Sequence, residues 1–163
     1  MKKNNTLFFE GTNQILDCLI HALAIPWKGF HLGWRLVFNL EYSGILDFIM
    51  DNADLSKPLN IEAKSYGCIN AMDLVKELHN KDLVKIGTVV LKESPKYCRP
   101  KNFKYFKDIH IENYRYGRDI VTFIPPWFSH PEPYYEIPNT KKSWWKFWEW
   151  FMDHKRGCEW TKA

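Results

Sequence analysis

Cys18 and His21 stand three residues apart in TNQILDCLIHALAI, a spacing that lets a thiol and an imidazole share one helical face. The chemistry such a pair offers is attack by a base-activated thiol. The surrounding stretch is apolar, whereas a reactive thiol needs an electropositive, partly exposed setting. The pair therefore reads as a buried thiol with His21 at the rim of an apolar face. Cys68 is the better nucleophile candidate. It follows Gly67 and precedes a helix start at Asn70, and a helix N-terminus lowers a thiol pKa. His79, His110 and His130 are the histidines that folding could bring to it, and spacing does not choose among them.

Other chemistries find less support. Cys18, Cys68, Cys98 and Cys158 form no C-x₂₋₄-C knuckle, and no histidine pair has ligand spacing, so no metal is assigned. Glu10, Asp17, Glu41, Asp47, Asp51 and Asp54 are scattered over ordinary polar positions rather than paired for hydrolysis. Gly29 and Gly33 lie too close together for a phosphate loop and lack its Lys-Ser/Thr ending. No catalytic residue and no cofactor are assigned on this basis. A thiol-dependent enzyme using Cys68 stands as an alternative to non-enzymic function.

These residues need a scaffold, and composition bounds it. A chain of 163 residues suits one domain. At 45% hydrophobic and 26% charged it is an ordinary globular mixture; its 17% aromatic content is not ordinary. Each such ring buries about 150–250 Å², so some are expected to face a partner. The net charge of +4 is mild for a dedicated nucleic-acid binder. The opening MKKNNTLFFEGTNQ turns polar at once, so no secretory leader is expected. The apolar-leaning run from Ile15 to Trp27 is broken by Asp17 and His21 and falls short of the about 20 residues a membrane span needs. The expectation is a cytoplasmic protein with reduced thiols and no membrane partner.

Periodicity places the elements. Thr12 to Ile25 reads as a helix, capped by Thr12 and stopped by Pro26. Leu32 to Glu41 alternates as a strand buried on one side. Ser43 to Ala53 reads as a helix with Ile45, Leu46, Phe48 and Ile49 inward, and Asn70 to Asn80 as another, capped by Asn70. Leu83 to Lys92 reads as a strand. Ile109 and Ile111, then Val121 and Phe123, alternate as two more strands, joined by a hairpin at Gly117. This order predicts an α+β fold: one compact domain over residues 1–163, an antiparallel sheet packed by helices.

The wording changes at residues 124–138, IPPWFSHPEPYYEIP. Its five prolines preclude regular helix or central strand. Trp127, Phe128, Tyr134 and Tyr135 argue for an extended strap packed on the domain rather than a linker. Residues 143–155 follow as an amphipathic, Trp-rich C-terminal helix. Trp144, Trp145, Phe147, Trp148, Phe151 and Met152 fall within an arc of about 160°. Glu149 and Asp153 occupy the opposite face, which argues against a membrane surface. Trp150 falls outside both groups and is left for a partner.

Nucleic acid is a second alternative. Lys96 to Lys107 interleaves basic and aromatic residues, and RYGRDIVTF, Arg115 to Phe123, resembles the RNP1 strand of RNA-recognition modules. It departs from that pattern in its glycines, in Asp119 and in the order of elements. The leading expectation is a protein-binding role: a small inhibitor, adaptor or immunity protein that occludes a toxin or enzyme stoichiometrically. Aromatics and Arg dominate interface hot spots, which makes Trp127, Phe128, Tyr134, Tyr135, Trp150, Arg115, Tyr116 and Arg118 the expected contact surface.

Overall fold

The computed structural model describes residues 5–10, 42–82, 84–98, 100–117, 119–123 and 129–138. Strand β1 (Thr6–Phe9) is followed among them by helix α1 (Tyr42–Asn52), strand β2 (Leu59–Lys64), helix α2 (Gly67–Lys81), and strands β3 (Ile86–Lys92), β4 (His110–Tyr116) and β5 (Tyr134–Ile137). Short 3-10 helices at Pro100–Tyr105 and Ile120–Phe123 lie before and after β4.

The five strands form one sheet in the order β1-β2-β3-β4-β5, and every neighbouring pair is parallel. This corrects the expected antiparallel α+β arrangement: the described fold is α/β. The antiparallel expectation came from the order of elements and a hairpin at Gly117, and neither fixes how distant strands pair. Ile61, Ala63, Val89 and Leu91 point to one face and are buried with Ala71, Leu74, Val75 and Leu78 of α2. The other face carries polar residues, among them the Lys92–Glu62 ion pair at 2.5 Å. Where a described helix covers one face, a parallel strand alternates as an antiparallel one does.

α2 forms because its apolar residues recur at spacings of three and four. Full burial of each Ile, Leu, Val or Met among them contributes about 1.5–3 kcal/mol. It starts at Gly67, three residues before the expected cap, with Tyr66 at the N-cap and no side-chain cap bond. Asn70 thus lies in its first turn. α1 docks Ile45, Leu46 and Ile49, while Phe48, expected inward, is exposed.

Two further expectations are corrected near β4. Gly117 does adopt a left-handed φ of 58°, but it ends β4 without making a hairpin. Val121 and Phe123 belong to a 3-10 helix rather than a strand. β5 lies inside the proline-rich strap and takes the edge of the sheet, where proline's missing N–H is tolerated. The strap's Ser129 pairs with Cys98, donating N–H to its carbonyl at 2.8 Å. The expected helix at Thr12–Ile25, the strand at Leu32–Glu41, the helix at 143–155, and Arg118, Trp127, Phe128 and Trp150 lie outside the described residues. Among the described residues, no helix is long and apolar enough to cross a membrane.

Candidate functional site

Parallel strands bring all their carboxyl ends to one edge, which is where open α/β sheets hold their sites. Three backbone hydrogen bonds extend the ladder one step past the strands here. Ser65 N–H donates to Lys92 O at 2.8 Å, Glu93 N–H to Tyr114 O at 2.9 Å and Gly117 N–H to Ile137 O at 3.0 Å. Ser65, Glu93 and Gly117 are thus neighbouring exit points from β2, β3 and β4.

The exit of β2 is abrupt. Ser65 takes a left-handed φ of 51°, a conformation that costs a non-glycine residue about 1–2 kcal/mol. The chain then enters α2 directly. Cys68 N–H reaches Ser65 O at 3.1 Å, and Ile69 N–H reaches Tyr66 O at 3.0 Å. Two residues, Ser65 and Tyr66, separate strand from helix, and the left-handed one is the serine. The flanking positions two before and two after are Ala63 and Gly67. Ala63 is buried in the core. At Gly67 a Cβ would stand 2.6 Å from the Glu10 carbonyl oxygen and 2.7 Å from that of Phe9, so α2 starts this close to the end of β1 only with glycine there. The pattern A-K-S-Y-G, small-x-Ser-x-small between strand and helix, is the geometry of a nucleophile elbow. Lys64 pairs with Glu10 at 2.6 Å and brings the exit of β1 to the same corner.

Beyond β4 lies a wholly buried acid, Asp119. Its carbonyl accepts from Thr122 Oγ1 at 2.8 Å, and the Thr122 carbonyl accepts from Tyr134 OH at 2.9 Å, which ties the Asp119 turn to β5. Glu93 faces Asp119. Burial first, and the Asp119 carboxyl second, push the Glu93 carboxyl up to about 11, so it holds its proton at neutral pH.

Cys68 sits three residues past Ser65 and is fully buried, with its thiol pushed far up by burial. Its Sγ faces the Lys92 carbonyl at 3.6 Å. A thiol so placed is inert, and this withdraws Cys68 as the nucleophile. Of its candidate partners, His110 begins β4 at the opposite edge of the sheet, and His79 is near the far end of α2. His130 is buried between the rings of Tyr97 and Tyr134, at centroid distances of 4.9 and 4.8 Å. Its Nδ1 is 3.1 Å from Asn113 Nδ2, and burial, aided by Lys96 and Arg115, pushes its pKa down to about 3.

The residues expected to form a contact surface divide between the sheet's two faces. Register puts Arg115 and Tyr134 on the face of Asn113, and Tyr116 and Tyr135 on the face of Tyr114. Arg115 pairs with Glu136 and stacks on Tyr134, 4.7 Å from the ring centroid. Tyr116 is half-buried and its N–H donates to Glu93 Oε1. Only Tyr135, at 51%, is clearly exposed among the described members of that set.

Ser65, Asp119 and Glu93 were absent from the sequence-based site. The signal for Ser65 was there in AKSYG, between the alternating Leu59, Ile61 and Ala63 and the helical run that follows. Asp119 carries no local signal, because its meaning comes from lying beyond a strand parallel to β2. No protein-family model, no curated protein and no solved structure matches the chain.

Proposed function

We propose that this chain is a serine hydrolase that transfers an acyl group through Ser65. The observation that supports it most is the left-handed serine between Ala63 and Gly67 on a strand-to-helix turn at the carboxyl edge of a parallel sheet. In such a turn the hydroxyl is held at the top of the sheet for attack. The Ser65 Oγ forms a bond to the substrate carbonyl carbon and gives up its proton to a base. The Tyr66 N–H and the N-terminal end of α2 stabilise the oxyanion. The leaving group departs with that proton, and water then hydrolyses the acyl-serine. Asp119 orients the base. The chain order serine, acid, histidine leaves His130 and His154 after Asp119.

Labelling with a fluorophosphonate probe tests this reading. The expected result is one label per chain, found on the Ser65 peptide and lost in Ser65→Ala. A folded protein that takes no label, or whose label survives Ser65→Ala, overturns it. Since Ser65 is only 2% exposed, labelling is expected to be slow. His130→Gln and His154→Gln then separate the two bases, since only the true one abolishes labelling.

A second reading rests on exposed rings. Phe8, at 62%, and Tyr135, at 51%, lie on the less covered face of the sheet. They would give a protein partner an aromatic contact, as an inhibitor, adaptor or immunity protein requires. Tyr135→Ala would then release a captured partner and leave Ser65 labelling intact. The nucleic-acid reading loses its hairpin, since its second arm, Ile120–Phe123, is a 3-10 helix. The free, buried Cys68 and Cys98 fit a reducing cytoplasm under either reading.

A further inference from the structure

Glu93 is the second residue at this edge in a conformation its type does not favour, with φ 53°. It is a long acidic side chain turned into the protein rather than out to water, and it is 1% exposed. Its Oε1 accepts the Tyr116 N–H at 2.5 Å. Its Oε2 is buried and accepts from no described donor. The carboxyl group beside it, Asp119, offers only acceptor atoms unless a proton is present. Two buried carboxyls so placed are satisfied by one shared proton, because both cannot ionise side by side.

We propose that Glu93 is the positioning residue of the hydrolase site: a carboxylic acid that donates its proton to Asp119 and fixes the orientation of that carboxylate. Glu93 hangs from the end of β3, Asp119 from the turn after β4, and the shared proton ties the two exits together. The inference rests on the Ser65 reading for its consequence in catalysis, and on the carboxyl pair alone for its existence. Among the described residues, the groups facing Glu93 are Asp119, Arg115 and the Tyr116 N–H from the β4 side, and Cys68 from α2. Arg115 is paired with Glu136, and the Cys68 thiol is neutral. Neither therefore competes for the proton.

Infrared difference spectra test the pair directly. Wild type minus Glu93→Gln, taken at about pH 8, should show the C=O stretch of a protonated carboxyl group. An ordinary surface glutamate would show only carboxylate bands at that pH. A wild-type protein with no protonated carboxyl band overturns the proposal, whatever the Ser65 labelling shows. Glu93→Gln keeps a donor at this point, so its fluorophosphonate labelling should stay close to wild type. Glu93→Leu removes the donor, and labelling should fall by about tenfold or more, the loss of one hydrogen bond to a charged group. Equal labelling of the Gln and Leu variants overturns the positioning role. If Glu93→Leu fails to fold, Asp119→Asn serves in its place. It should shift or remove the same infrared band, and an unchanged band overturns the pair. Absence of any Ser65 label in wild type, with the band present, refutes the hydrolase and leaves the carboxyl pair standing.

Discussion

Four non-glycine residues of the described chain have a left-handed φ, two at each edge of the sheet, and they differ in kind. At the amino edge they are Asn5, entering β1, and Asp82, ending α2 ahead of β3. Asn and Asp visit this region readily, and each has a local reason. Asn5 Nδ2 donates to the carbonyls of Asp54, Lys57 and Pro58, and its Oδ1 accepts the Asp54 N–H at 3.0 Å. Asp82 caps the helix, donating its N–H toward His79 and Leu78. At the carboxyl edge they are Ser65 and Glu93, residue types that avoid this conformation. Ser65 takes it in the turn from β2 into α2, and Glu93 takes it where β3 ends, with its side chain accepting the Tyr116 N–H. Strained residues gathered at one edge point to a site there. The two edges thus separate the residues that hold the fold from those proposed to act.

The largest effects should fall where strain is structural. Asn5→Ala removes four hydrogen bonds, strands partly buried carbonyls and keeps the left-handed φ. It should lower stability by about 3 kcal/mol, read as a shift in urea midpoint at constant slope. Gly67→Ala forces a methyl group to 2.6 Å from a backbone oxygen and should lower stability by about 2 kcal/mol. Gly44→Ala in exposed α1, where no atom lies within 4 Å, should instead raise it by up to about 1 kcal/mol. Equal effects at the two glycines would remove the close approach that defines the elbow.

How much of this could be read beforehand depended on whether the signal was local. α1, α2 and β3 follow from apolar spacing and lie close to where periodicity puts them. β2, LNIEAK, alternates just as clearly, but it is short and carries Glu62 and Lys64, and no strand is expected there in the sequence analysis. Strand direction is not a local property. Element order and a hairpin at Gly117 suggest antiparallel pairing, but the parallel order is set by which distant strands meet. Gly117 was correctly a turn residue, but φ alone does not say whether the chain returns beside its own strand. The site divides the same way. AKSYG was legible as a strand-to-helix turn, whereas Asp119 and Glu93 acquire meaning only when β3 and β4 end beside β2.

Two buried groups should make stability fall on both sides of neutrality. His130 has a folded pKa of about 3, below its ordinary 6.5, so the unfolded chain binds the extra proton. Its contribution is present above pH 6.5 and is lost as pH falls toward 3. Glu93 has a folded pKa of about 11, above its ordinary 4.5, so the folded chain holds the extra proton. Its contribution is complete below pH 4.5 and is lost as pH rises toward 11. Each slope is at most about 1.4 kcal/mol per pH unit. Urea midpoints measured across pH should flatten on the acid side in His130→Gln and on the alkaline side in Glu93→Gln. A wild-type profile that is flat on the alkaline side would return Glu93 to an ordinary carboxylate.

The smallest effects sharpen the contrast most, because they separate stability from activity. Ser65→Gly and Ser65→Ala both delete the hydroxyl, so any bond it makes cancels between them. Glycine also relieves the left-handed φ, and should be the more stable of the two by about 1 kcal/mol, although neither takes the fluorophosphonate label. At the amino edge, Asp82→Gly relieves the same kind of φ on an exposed residue whose cap bonds are made by its backbone. Asp already tolerates this region, so the gain should be about 0.5 kcal/mol, and Ser65 labelling should proceed at the wild-type rate. The two glycine variants, compared by urea midpoint and by labelling, therefore part on activity while agreeing in the sign of the backbone effect. If Asp82→Gly also slowed labelling, strain at the two edges would be coupled through α2. The distinction between holding residues and acting residues would then fail.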